Sequence, residues 1–106
     1  MTLTPDQLDR ALGAVLGSAV GDALGVPYEF RRPVLAGNEY AAMIGGGLGD
    51  YAPGEWSDDT SMAVPILEVV ATGADLSSDD ALDAVAAGFL RWYCLLYTSP
   101  SPRGQA

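Results

Sequence analysis

The strongest constraint on the fold is a long helical pattern at the start of the chain. Thr4 stands at a helix N-cap position, Pro5 takes the first helical position, and Gln7 completes a capping box. Apolar residues then recur at helical spacing, namely Leu8, Leu12, Val15, Leu16, Ala19 and Ala23. The pattern predicts a helix over residues 5–24.

Four glycines recur at every fourth position of this helical pattern: Gly13, Gly17, Gly21 and Gly25. Each glycine inside a helix costs about 1 kcal/mol relative to alanine, so the repeat needs a cause. We expect another backbone to pack closely along this glycine stripe. The alternative is a composition that favours glycine and alanine throughout the chain.

Two further segments carry helical patterns, over residues 57–71 and 78–93. Apolar residues in the second of these predict a buried stripe of Leu82, Val85, Ala86, Phe89, Leu90 and Tyr93. Residues 26–56 are rich in glycine and proline and predict a long loop, which is unusual unless the loop has a function. No paired strands are expected, so the predicted fold class is all-α.

Composition and charge exclude several classes of function. The formal net charge of −9 argues against a nucleic-acid or anionic-membrane partner. The absence of histidine excludes imidazole metal ligands and Ser/His/Asp triads. The single cysteine, Cys94, cannot form an intrachain disulfide, so a cytoplasmic location is expected. The apolar run over residues 11–20 is too short to span a bilayer.

An acidic motif follows the long loop, in the order Ser57, Asp58, Asp59 and Thr60. Ser57 is a good N-cap candidate, which would place both aspartates in the first helical turn, where the helix dipole favours negative charge. The alternative is a hard-cation site, because oxygen ligands suit Mg²⁺, Mn²⁺ or Ca²⁺. The residues themselves leave both readings open.

Other acidic positions are predicted to have structural roles. Asp22 lies near the C-terminal end of the first helix, where the dipole disfavours a negative charge. We therefore expect it to have a specific partner, such as loop backbone N–H groups or a metal-bound water. Asp79 and Asp80 are interpreted as helix-start charge, with Ser77 or Ser78 as the N-cap.

Two motifs together carry a family resemblance. The first is G-x-x-x-G-x-A-x-G-D-A-L-G-x-P-x-E-F over residues 13–30, and the second is G-E-W-S-D-D-T-x-M over residues 54–62. In this order and separation they resemble the ADP-ribosylglycohydrolase family, which includes the dinitrogenase-reductase-activating glycohydrolases. The resemblance covers residues 11–93 and implies an all-α fold.

The resemblance also implies a reaction and a site. Members hydrolyse the glycosidic bond that joins ADP-ribose to a protein side chain or small acceptor, using two Mg²⁺ or Mn²⁺ ions. By motif, Ser57, Asp58 and Asp59 would be metal ligands, with Ser57 standing where the family usually has threonine. Glu29 would be the acid/base residue or would order the metal-bound water. The acceptor stays open among arginine, serine and others.

The end of the chain departs from the family pattern. Residues 94–106 resemble the translation of a transposon-type sequencing adapter, so we expect residues 1–93 to be the N-terminal portion of the domain and 94–106 to be non-native. The second acidic motif that completes the family's metal site is missing. We therefore expect this chain to be inactive. The alternatives are a non-catalytic ADP-ribose-binding or interaction module and an inert fragment.

Overall fold

A computed structural model describes residues 2–30 and 35–98 of the chain. Helix α1 spans Pro5–Gly25 and runs into a short 3₁₀ turn at Val26–Tyr28, α2 spans Asp58–Ala71, and α3 spans Asp79–Thr98. The described residues contain no strand beyond an isolated bridge between Gly46 and Tyr51. The all-α prediction is confirmed. The third helix, however, continues past its predicted end at residue 93.

The start of α1 follows the predicted capping box. The Thr4 hydroxyl accepts a hydrogen bond from the Gln7 backbone N–H at 3.1 Å. The Gln7 side chain in turn accepts the Thr4 backbone N–H at 2.9 Å. Two of the backbone donors that a helix start leaves unpaired are thereby satisfied by residues three positions apart.

Apart from its last turns, where Ala23 is buried, α1 is largely open to solvent in the described part of the chain. A Cβ added at any of the four stripe glycines would meet nothing within 4 Å, so the expected close packing against another backbone is wrong for these residues. The large apolar side chains also stay exposed, with Leu16 at 64%. By length and composition alone, Pro5–Tyr28 could cross a membrane, a property that core helices of soluble proteins share.

The chain divides into two compact units, Met1–Thr60 and Ser61–Ala106. In the first unit the loop after α1 is held by two local anchors. Tyr28 Oη accepts the Ala42 backbone N–H at 3.1 Å. Gly46 and Tyr51 exchange backbone hydrogen bonds of 2.7 and 2.8 Å across a tight turn. The described part of the long loop is therefore folded onto the residues that follow α1.

In the second unit, α3 starts as the sequence predicts. Ser78 is the N-cap, because its hydroxyl accepts the Ala81 backbone N–H at 3.2 Å. Asp79 and Asp80 occupy the first turn, so their interpretation as helix-start charge is confirmed.

The buried face of α3 agrees with the predicted stripe at Val85 and differs from it at most other positions. Ala81, Val85 and Gly88 are buried, whereas Leu82 and Leu90 are 52% and 63% exposed. Gly88 faces the buried ring of Pro65 in α2 so closely that a Cβ at this position would require the ring to shift. The contact is made by the small residues of α3 because they allow this close approach, and the larger apolar residues lie on other faces.

Candidate functional site

The centre of the site is the carboxylate of Asp22, in the last turns of α1. Ser57 donates to it twice, from the backbone N–H at 2.9 Å and from Oγ at 2.5 Å. Thr60 also donates twice, from its backbone N–H at 3.1 Å and from Oγ1 at 2.7 Å. Both donor residues are buried. The expectation that Asp22 has loop backbone N–H groups as its partners is confirmed.

This network caps α2 from outside its own sequence. The helix begins at Asp58, directly after Ser57, and its first backbone N–H groups have no partner within the helix. The prediction that Asp58 and Asp59 lie in the first turn, directly after Ser57, is confirmed. The capping acceptor is Asp22 and not Ser57, because the Ser57 hydroxyl donates to Asp22, and Asp22 accepts the Thr60 N–H. An ionised carboxylate is a stronger acceptor than a hydroxyl, which explains the exchange of roles.

Asp22 is held in its charged form. Burial alone would raise the pKa of Asp22, but the side-chain and backbone hydrogen bonds from Ser57 and Thr60 outweigh it and lower the pKa below its ordinary value. The carboxylate also faces the N-terminus of α2, where the helix dipole favours negative charge. The unfavourable position of Asp22 at the end of one helix is thereby compensated at the start of the next.

A cavity of about 260 Å³ lies beside this network. It is lined by six residues: Ser18, Gly21, Asp22, Gly25, Glu29 and Asp59. Two members of the glycine stripe form part of its wall, and the space in front of their Cα atoms is open. In the described chain, these glycines therefore leave room for the cavity and are not covered by a packed backbone.

The predicted site residues Glu29 and Asp59 both line this cavity. The pKa of Glu29 is raised, first by partial desolvation and then by repulsion from Asp59, Asp58 and Asp22. The structure therefore brings Glu29 into the electrostatic field of the acidic motif. A site in which carboxylates repel one another favours a bound cation.

The other two predicted metal ligands lie differently. Ser57 is 5% exposed and its hydroxyl hydrogen is directed to Asp22, while Asp58 is exposed; neither lines the cavity. Across residues 2–30 and 35–98, no three acidic or cysteine side chains are grouped closely enough to hold a metal ion. The metal-ligand assignments for Ser57, Asp58 and Asp59 remain predictions.

Sequence reasoning gave Asp22 only a supporting role, although the structure places it at the centre of the network. The available signal was its unfavourable position near a helix C-terminus, which indicated a specific partner. Ser18 was missed altogether. It lies one helical turn before Asp22 on the face that lines the cavity, in a motif of small residues where no single position stands out.

Comparison with known proteins decides the family. The family model described as ADP-ribosylglycohydrolase matches residues 3–105, nearly the whole chain. The chain belongs to the ADP-ribosylglycohydrolase family. The predicted resemblance is confirmed, and the match includes part of the segment that we expected to be non-native.

Curated relatives from bacteria agree with this assignment. The chain is 43% identical over 94 residues to the ADP-ribosylarginine hydrolase Tri1 of Pseudomonas putida (strain GB-1), covering 87% of this chain and 24% of that protein. It is 39% identical over 93 residues to the ADP-ribosyl-[dinitrogen reductase] glycohydrolase of Rhodospirillum rubrum, covering 83% and 30%. No solved structure gives a significant match. The chain therefore spans about a quarter of the length of these family members.

Proposed function

We propose that the protein carrying this chain is a metal-dependent hydrolase that removes ADP-ribose from protein side chains or small acceptors. The observation that carries the proposal is the shared cavity of Glu29 and Asp59, beside a helix start that Asp22 holds in place. Family membership supports the reaction class. Relatives named ADP-ribosylarginine hydrolase favour arginine as the acceptor.

The donor chemistry of the site suits a hard divalent cation. Every candidate ligand is an oxygen, from the carboxylates of Asp58 and Asp59 and the hydroxyl of Ser57, and oxygen ligands favour Mg²⁺ or Mn²⁺. The pKa of Glu29 is raised first by desolvation and then by repulsion from the neighbouring aspartates, and a cation would neutralise that repulsion. We infer that two ions bind here in the whole protein, with further ligands supplied outside this chain. When bound, they would neutralise this charge and orient the ribose hydroxyls.

Glu29 is the proposed acid/base residue. Hydrolysis adds the hydroxyl of a water molecule to the anomeric carbon of the ribose and a proton to the leaving nitrogen. Glu29 lies at the cavity wall, and a carboxylate whose pKa is raised above its ordinary value is a better proton acceptor than a free one. Its side chain can take the proton from the attacking water and return it to the leaving group.

The decisive experiment compares variants of the full-length protein on an ADP-ribosylated arginine substrate. An Asp58→Asn, Asp59→Asn double variant should lose Mn²⁺ binding and turnover together. Glu29→Gln should retain Mn²⁺ binding and lower kcat by roughly 10²–10⁴-fold, the usual contribution of a general acid or base.

The chain itself offers a matched control for this experiment. Asp79 and Asp80 form a second adjacent pair in the first turn of a helix, and neither lines the cavity. Replacing both with asparagine should leave Mn²⁺ binding and turnover unchanged. Unchanged activity in the Asp58, Asp59 variant would refute the metal-site proposal.

The isolated 106-residue chain should not hydrolyse the substrate, because it spans about a quarter of its relatives. Incubation with ADP-ribosylated arginine and Mn²⁺, followed by chromatography of released ADP-ribose, tests this. Release at the rate of the full-length protein would show that the site is complete within these residues.

A further inference from the structure

The carboxylate of Asp22 holds both sides of the acidic pair. Ser57 precedes Asp58 and Asp59, and Thr60 follows them, and each of these flanking residues is tied to Asp22 by its backbone and its side chain. The first turn of α2 is therefore fixed at both ends by a residue of α1. With the capping position filled by Asp22, the Asp58 and Asp59 carboxylates are not needed to cap their own helix.

The direction of the hydroxyl hydrogens follows from the same bonds. A serine or threonine hydroxyl has one hydrogen to donate and two lone pairs to offer. Ser57 and Thr60 both give that hydrogen to Asp22, at 2.5 and 2.7 Å. Because an ionised carboxylate only accepts, neither hydroxyl can reverse its direction at this contact. The Ser57 hydroxyl can then form further bonds only through its oxygen lone pairs. A hydroxyl binds a cation through these lone pairs, so Asp22 leaves Ser57 ready to do so.

From this geometry we propose that Asp22 is a positioning residue of the hydrolase site: it directs the Ser57 hydroxyl hydrogen away from the cation and fixes the backbone that presents Asp58 and Asp59. This inference rests on the proposed function, because it requires a divalent ion at the acidic motif. It differs from a purely structural cap in one testable respect. A cap acts on folding alone, whereas a positioning residue acts on metal affinity through the Ser57 oxygen.

The test uses the full-length protein with Mn²⁺ as the probe, and free Mn²⁺ is measured by its electron paramagnetic resonance signal. Asp22→Asn keeps the size of the side chain but replaces one acceptor oxygen with an NH₂ donor. We expect its Mn²⁺ Kd to rise by roughly 10–100-fold, the usual effect of removing a group that orients a metal ligand. The wild-type measurement tests the proposed function separately. Absence of Mn²⁺ binding by the wild type would overturn both proposals.

A matched control comes from the second unit. Asp75 accepts hydrogen bonds from the Ser77 backbone N–H at 2.9 Å and from Ser77 Oγ at 2.8 Å, the same carboxylate-to-serine arrangement in residues that do not line the cavity. Asp75→Asn should leave the Mn²⁺ Kd at the wild-type value. If Asp22→Asn also left it there, while the wild type bound Mn²⁺, the positioning role would be refuted and the proposed function would stand.

A double-mutant cycle separates the positioning role from a loss of folding. If Asp22 acts through the Ser57 hydroxyl, Asp22→Asn should have a much smaller effect on the Kd in a Ser57→Ala background. Fully additive effects would contradict the proposal. If Asp22→Asn does not fold, the Ser57 variants still decide the matter. Ser57→Thr, which keeps the hydroxyl, should bind Mn²⁺ as the wild type does, and wild-type affinity in Ser57→Ala would overturn the proposal.

Discussion

The contact between Gly88 and Pro65 gives a prediction whose sign can be worked out from the structure. A Cβ added at Gly88 would lie 2.5 Å from Pro65 Cβ and 3.1 Å from Pro65 Cγ. Since carbon atoms pack at about 3.5–4.0 Å, the proline ring would have to move by roughly 1 Å. The ring cannot rotate away as a flexible side chain would. Overpacking of this kind costs about 1–3 kcal/mol, and the better helix propensity of alanine returns about 1 kcal/mol. Gly88→Ala should therefore lower the free energy of unfolding by about 0–2 kcal/mol, whereas without the contact it would raise that free energy.

Gly17 provides the matched substitution. It also lies inside a helix, but a Cβ added there would meet nothing within 4 Å in the described chain. Helix propensity alone then acts, so Gly17→Ala should stabilise the chain by about 1 kcal/mol. The same chemical change is expected to have opposite signs at the two positions.

Urea denaturation of the purified chain, followed by circular dichroism at 222 nm, measures both changes. With an m-value of about 1 kcal/mol/M, the midpoint should fall by up to roughly 2 M for Gly88→Ala and rise by roughly 1 M for Gly17→Ala. A rise of roughly 1 M for Gly88→Ala, equal to that of Gly17→Ala, would refute the contact with Pro65. In the full-length protein, a loss of stability in Gly17→Ala would show that another segment packs on the glycine stripe.

The remaining predictions concern pH and the loop of the first unit. The lowered pKa of Asp22 means that its stabilisation is present above its ordinary pKa of 3.8 and is lost as the pH falls through the lower folded value. Acid titration of the wild type and Asp22→Asn, followed by circular dichroism, should therefore show that the variant loses less stability below pH 3.8 than the wild type does. The raised pKa of Glu29 acts in the opposite direction, because the folded chain loses stability as the pH rises from 4.5 through the folded value. Glu29→Gln should remove this loss of stability and be more stable than the wild type at pH 7. The test compares the urea midpoints of the wild type and the variant at pH 4.5 and at pH 7. Gly47 has φ +71°, and a Cβ there would lie 2.6 Å from the Val26 carbonyl oxygen. Thermal denaturation should therefore show a larger loss for Gly47→Ala than for Gly46→Ala, where φ is +87° but the space is open.

The starts of α1 and α3 could be predicted from sequence because their determinants are local. Thr4 with Gln7, and Ser78 with Ala81, are each three positions apart, so the pattern contains both partners of the capping bond. The buried face of α3 could not be predicted in the same way. It depends on where Pro65 lies against Gly88, and periodicity alone favoured the larger apolar residues, which the structure leaves exposed.

The candidate site was only partly predictable, for a related reason. The motifs identified Glu29 and the Ser57–Asp59 segment, and helix electrostatics showed that Asp22 needed a partner. The identity of that partner depends on how the intervening loop folds, through contacts such as that of Tyr28 with Ala42. No local pattern specifies a contact of that kind.

The bonds between Asp22 and α2 have a consequence for the evolution of the loop between them. They join Asp22 to Ser57 and Thr60, which lie 35 and 38 residues further along the chain. The two ends of the intervening loop are therefore held together by these bonds directly. For a flexible loop, each doubling of length costs only about 0.6 kcal/mol of closure entropy. Insertions near the exposed Gly37–Asn38 turn should therefore cost little and leave the acidic helix start in place. This stretch can gain or lose residues without disturbing the carboxylates that line the cavity.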